Sequence, residues 1–184
     1  MVSDGELLSR WRSGESDAFP ELYRRHAAGL YTYLLSLVGD QEVAADLLQD
    51  TFLTLVRKAR RIMRELRGRS LGTYLAVVAR NRAIDWLRRQ KREESLRHRI
   101  RTVRLLQGGS PAAAISSEEA AELLLSLPAG QREVLVLRFY AGLTFNDIAR
   151  VLGCPRNTAV SRYRYGLQKL KAALGKATGR GGTL

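Results

Sequence analysis

The sequence predicts an all-α protein, two small helical domains joined by a flexible linker, on three observations. Apolar residues recur at three- and four-residue steps between helix-capping residues, and strand-type alternation is nowhere sustained. A run of small residues at 107–114 (QGGSPAAA) divides that pattern in two. At 184 residues the chain has room for roughly one ordinary domain or two small ones.

Taken in order, Ser16 is expected to cap a helix over 17–38, which Gly39 ends, and Asp40 to cap another running to about residue 61. In that second helix Ala44, Leu47, Leu48, Thr51, Phe52 and Leu55 form one stripe of helical period, which faces a core. Glu42, Asp46, Gln49 and Asp50 share the adjacent polar face. Residues 64–69 (RELRGR) interrupt the periodicity and read as a basic loop, after which Ser70 caps a helix over 71–92. These elements make a first domain over residues 1–94.

Residues 95–117 form the linker, and its basic stretch 97–104 has partly helical character. Ser116-Ser117-Glu118-Glu119 is a capping box for a helix that Pro128 closes, and the next helix covers 131–140. Thr144 caps Phe145–Leu152, Gly153 permits the positive-φ exit, and Pro155 begins a helix to about residue 174. The second domain spans 118–178, with a tail at 179–184.

Charge separates function classes. Lys and Arg total 31 against 18 Asp and Glu, net +13, with an isoelectric point near 10.7. The excess is uneven: residues 1–52 carry 4 basic and 9 acidic groups, residues 53–104 carry 17 and 4, and the remainder 10 and 5. A concentrated basic segment points to a polyanion, nucleic acid first, and an acidic segment beside it implies a different partner.

Cys154 is the only cysteine, which excludes an intramolecular disulfide, and with His26 and His98 it makes no soft-ligand metal site; no metal or cofactor is expected. No phosphate-binding loop, nucleophile elbow, zinc-protease motif or dinucleotide fingerprint occurs, so no enzyme activity is expected. His26 and His98 read as surface residues rather than general bases. With neither a signal peptide nor an apolar run of membrane-spanning length, the expectation is a cytoplasmic protein without membrane insertion.

Two arrangements carry the nucleic-acid reading. The helix, tight turn and helix from Thr144 onward have helix-turn-helix spacing, with Ile148, Ala149, Leu152 and Ala159 inward. The second helix then presents Arg156, Asn157, Thr158, Ser161, Arg162 and Arg164 to base edges and phosphates; an ordinary helical hairpin with a solvated basic face is the alternative. On the 71–92 helix Arg82, Trp86 and Arg89 share one stripe, and Asn81, Asp85, Arg88 and Arg92 its neighbour. A ring between guanidiniums suits unpaired bases, which stack on aromatic faces, although Trp86 and Tyr74 fit a core role as well.

The residues also carry a family pattern. The runs 18–25 (AFPELYRR), 46–52 (DLLQDTF) and 79–89 (ARNRAIDWLRR), followed by 127–135 (LPAGQREVL), Gly142-Leu143-Thr144 and Ile148-Ala149, resemble a bacterial extracytoplasmic-function sigma factor of the sigma-70 family. The resemblance covers about residues 5–92, the family's region two, and 118–175, its region four. It implies a transcription initiation factor that directs core RNA polymerase to promoters, docking on the beta-prime coiled coil and the beta flap, and held inactive by an anti-sigma factor.

By the same resemblance Asp46, Gln49, Asp50 and Phe52 dock on the polymerase. Arg61, Arg64, Arg67 and Arg69, with Arg80, Asn81, Asp85, Trp86, Arg88 and Arg89, meet the minus-ten element of promoter DNA. Thr144, Arg156, Asn157, Thr158, Ser161, Arg162 and Arg164 meet the minus-thirty-five element. Tyr74 stands where the family usually has Trp, and Asn157, Ala159 and Val160 replace part of its common recognition-helix run. A free-standing helix-turn-helix regulator is the other reading, and the acidic face of the second long helix separates the two.

Overall fold

A computed structural model describes residues 2–66, 70–96 and 124–178. Ser3 starts α1 (Asp4–Arg12): its hydroxyl accepts the Glu6 amide at 3.2 Å, a Ser-x-x-Glu start of the capping-box type that the sequence reading passed over. Helix α2 (Ala18–Val38) begins at Asp17 rather than Ser16, and Asp17 sits in helical backbone with no side-chain cap. Its end is as expected, at Gly39 with φ 71°.

Asp40 Oδ1 accepts the Val43 amide at 3.0 Å and opens α3 (Gln41–Leu66). The helix continues through Arg61, Arg64 and Leu66, so the basic loop expected over 64–69 is helical as far as 66. Arg, Glu and Leu are strong helix formers, and Ile62, Met63 and Leu66 still pack on the core there. Arg67 and Arg69 lie outside the described residues, as do His98, the linker from 97, the capping box at Ser116 and the tail. Ser70 Oγ accepts the Thr73 amide at 3.1 Å and begins α4 (Leu71–Leu96).

The stripe on α3 is buried as its period requires, Ala44, Thr51 and Leu55 at 0% exposure. It meets Leu22, Leu30 and Leu34 of α2, Leu75, Ala76, Ala79 and Ala83 of α4, and Leu7 and Leu8 of α1. From Ile84 through Lys91 no side chain of α4 is fully buried, and Trp86 alone among the partly buried apolar ones there packs against the core.

Residues 124–126 are helical, and Pro128 then starts α5 (Ala129–Phe139). Helix α6 (Phe145–Leu152) opens on Thr144, whose hydroxyl accepts the Asp147 amide at 3.2 Å, and closes on Gly153 at φ 62°. Helix α7 (Arg156–Thr178) follows Pro155, whose carbonyl accepts the Thr158 and Ala159 amides. Val134, Leu137, Ile148 and Ala159 close this second bundle. The two bundles share one core: α5 packs on α2 and α6 packs on α4.

Candidate nucleic-acid interface

Because the apolar stripe fixes the rotation of α3, Asp46, Gln49 and Asp50 turn outward and are exposed. Phe52, expected beside them, is 4% exposed; its ring lies 4.7 Å from Tyr23 and 6.3 Å from Phe19, centroid to centroid. It belongs to the core stripe and supports the acidic face from beneath. Sequence reasoning missed Leu53 and Val56, apolar side chains 44% and 40% exposed on α3. Their signal was available, since neither lies on the stripe and both follow directly on the acids. An acidic and apolar surface of this kind suits a protein partner better than a polyanion.

Asp50 also reaches α4, where Arg82 Nη1 donates to its Oδ2 at 2.8 Å and Arg82 Nη2 to Thr54 Oγ1 at 2.8 Å. Arg82 thus holds α3 against α4. The neighbouring α4 residues Asn81, Asp85, Arg88 and Arg89 are exposed, with Arg88 3.5 Å from Asp85. Trp86 is half-buried against the core. Arg61 and Arg64 are exposed on the last turns of α3.

Arg80 is placed differently. Its Nε donates to Glu133 Oε2 at 3.0 Å, and the Tyr33 hydroxyl donates to the same oxygen at 3.0 Å. Glu133 belongs to α5, so the contact joins the two bundles, and burial together with the adjacent carboxylate pushes the Tyr33 phenol well above its usual range. Thr73 of α4 also lies close enough to Asp147 of α6 to act on its carboxyl. Burial raises the Asp147 carboxyl, but hydrogen bonds from Thr144 and Thr73 and the charge of Arg150 outweigh it and hold the group below its ordinary value.

His26 corrects another expectation: only 17% of its side chain is exposed, and Nε2 lies 2.8 Å from Asp4 Oδ2. Arg25 bonds the other oxygen of Asp4 at 3.2 Å, so the pair ties α1 to α2. Among the described residues no group of three His, Cys, Asp or Glu side chains is placed to hold a metal ion. Among the same residues no helix is long and apolar enough to cross a membrane.

In the helix-turn-helix, Ile148 at 0% and Ala149 at 9% exposure face α7, and Gly153 makes the turn. Arg156, Asn157, Ser161 and Arg164 are exposed along one side of α7, while Thr158 and Arg162 are half-buried. The Arg162 guanidinium lies over Gly130 at the start of α5. Thr144 is exposed at the amino end of α6. A positively charged helix face framed by a helix amino terminus fits a phosphate backbone.

Known proteins share this arrangement. The family model described as Sigma-70 region 2 matches residues 22–93, and the one described as Sigma-70, region 4 matches 123–172. The RNA polymerase sigma factor CarQ of Myxococcus xanthus is 31% identical over 92% of this chain and 96% of its own length. The ECF RNA polymerase sigma factor SigL of Mycobacterium tuberculosis is 30% identical over 88% of this chain and 92% of its own. The chain belongs to the extracytoplasmic-function (ECF) sigma factors of the sigma-70 family.

The fold of this sigma factor agrees with that of RpoE, co-crystallised with the anti-sigma factor NepR from Bartonella quintana: the TM-score is 0.73 at 24% identity, over 86% of this chain and 97% of RpoE. As a sigma factor the protein directs core RNA polymerase to promoters for transcription initiation. The free-standing regulator loses its support, since region 2 matches across α3 and α4 in addition to the helix-turn-helix.

Proposed function

We propose that this sigma factor divides its work among three surfaces. The α3 face of Asp46, Gln49 and Asp50, extended by the exposed Leu53 and Val56, docks on the beta-prime coiled coil of core polymerase. The solvent-facing half of α4, with Asn81, Asp85, Trp86, Arg88 and Arg89, and with Arg80 once it is free, takes the minus-ten strand. Arg61, Arg64, Arg67 and Arg69 act on the same promoter element. Thr144 with Arg156, Asn157, Thr158, Ser161, Arg162 and Arg164 takes the minus-thirty-five duplex, and region four meets the beta flap. The corresponding division of the chain is 1–94, a linker at 95–117, 118–178 and a tail.

The observation that carries this reading is the opposition of two surfaces on one small bundle. An acidic and apolar face on α3 is held against a basic, aromatic face on α4 through the Asp50–Arg82 pair. Melting needs no catalysis by the sigma factor: a surface that binds the separated strand more tightly than duplex shifts the equilibrium by that difference. Stacking on Trp86 contributes about 1–3 kcal/mol per base. The protein therefore works in the cytoplasm with the polymerase, as an initiation factor rather than an enzyme. An anti-sigma factor restrains it, as the RpoE–NepR complex illustrates for a protein of the same fold.

The test is Asp46→Arg combined with Leu53→Glu, which reverses one charge of the docking face, puts a charge on its apolar part and leaves the Asp50–Arg82 pair in place. The double variant is expected to lose capture by purified core polymerase and run-off transcription on a genomic library, while retaining weak DNA affinity. Capture at the wild-type level would remove α3 as the docking surface.

A further inference from the structure

Two regions that serve separate promoter elements are packed here on each other, and the packing uses residues that the promoter reading also needs. Gly29 lies in the middle of α2, where glycine costs about 0.5–1 kcal/mol relative to alanine. The reason for glycine is local. A Cβ at position 29 would lie 2.3 Å from the Tyr140 carbonyl oxygen and 2.9 Å from Ala141 Cα, both beyond α5 in region four. The three atoms nearest that Cβ all belong to Tyr140 and Ala141, so the tightest demand for a missing side chain comes from region four.

Around this close approach the polar contacts are specific. One oxygen of Glu133, 12% exposed, accepts hydrogen bonds from Tyr33 and Arg80. Gly72 lies beside His26 of α2 and Leu143, the residue before the α6 cap. Thr32 and Tyr33, at 8% and 0% exposure, are covered on the α2 face where Gly29 meets the turn after α5.

The closed arrangement is too small for a promoter. Elements named for positions thirty-five and ten are about 25 base pairs apart, or ~85 Å along B-form DNA. A compact chain of this length has a radius of gyration near 16 Å. Both elements can be bound together only after regions two and four separate.

We propose that the chain is its own first inhibitor: region four seats on the α2–α4 face of region two, and Glu133 holds Arg80 away from the promoter strand until the regions part. Closure itself stands on the packing, and the withholding of Arg80 rests on the assignment of Arg80 to the minus-ten strand. Gly29 admits the approach and Glu133 latches it. The Asn81, Asp85, Arg88 and Arg89 side chains stay exposed in the closed state, so closure blunts strand binding without abolishing it.

The experiment compares the full chain with Gly29→Leu and Glu133→Gln by solution X-ray scattering. Affinity for a fluorescein-labelled, random-sequence 20-nucleotide single strand is measured alongside, and circular dichroism melts confirm that each variant is folded. Gly29→Leu is expected to raise the radius of gyration by roughly 3 Å or more as the regions part. Both variants should bind the strand at least about threefold more tightly, and Arg80→Ala added to Gly29→Leu should remove that gain.

A wild-type radius equal to that of Gly29→Leu overturns closure. An expanded Gly29→Leu whose strand affinity is unchanged overturns inhibition, because separation would then have released nothing. If the affinity rises and Arg80→Ala leaves the gain intact, closure survives, while the latch role of Glu133 and the strand role of Arg80 both fall.

Discussion

At the scale of single residues, the positions that misled sequence reasoning were those with two sufficient explanations. Phe52 satisfied both the family's docking pattern and the apolar stripe of α3, and burial decides for the stripe at 4% exposure. His26 stood among arginines and read as solvated, yet it meets Asp4, 22 positions earlier, at 2.8 Å. Local sequence holds no signal for that pair. It does make a prediction, since the hydrogen bond from His26, and then Arg25, draws the Asp4 carboxyl below its ordinary value against the opposing effect of burial. A carboxylate with a lowered folded pKa stabilises above the unfolded value near 3.8, and the contribution is lost as pH falls through the folded value. Asp4→Asn should therefore be less stable than wild type at neutral pH, and the gap should close on acidification below about pH 4. Urea denaturation at a series of pH values measures it; a gap that widens with acid would contradict the assignment.

Among the elements, helix starts and stops were legible where one residue does the chemistry. Asp40, Ser70 and Thr144 each accept the amide three positions on, and Gly39 and Gly153 each take positive φ. Boundaries failed where a helix had no strong stop. The 64–66 segment is charged enough to read as loop, but its residues favour helix and Leu66 finds apolar neighbours. The helix-turn-helix rests on its turn, and a Cβ added at Gly153 meets nothing within 4 Å. The cost of Gly153→Ala is then that of the left-handed backbone alone, about 1 kcal/mol. Urea denaturation should show a loss of that size with the angle between α6 and α7 kept. A loss above roughly 3 kcal/mol would mean that the turn is packed from outside.

For the whole molecule, fold class and the opposition of acidic and basic segments were legible from composition, because charge summed over a segment survives any error in helix boundaries. The joint between the regions was not. Tyr33 and Glu133 are 100 residues apart, and no periodicity connects them. Distributed charge sets the salt response: Arg88, Arg89, Arg156 and Arg164 are exposed, so DNA binding by the free chain should weaken steeply as salt rises. Arg164→Ala, measured by fluorescence anisotropy on a random-sequence duplex, should lessen the slope of log affinity against log salt by about one unit. A slope unchanged by the substitution would take α7 out of the phosphate contact. Gly29, finally, has a genetic meaning. Every glycine codon lies one base from an alanine codon, so a screen for mutants active without an inducing signal should recover position 29 repeatedly. Such mutants would arise in the half of the protein that carries no helix-turn-helix.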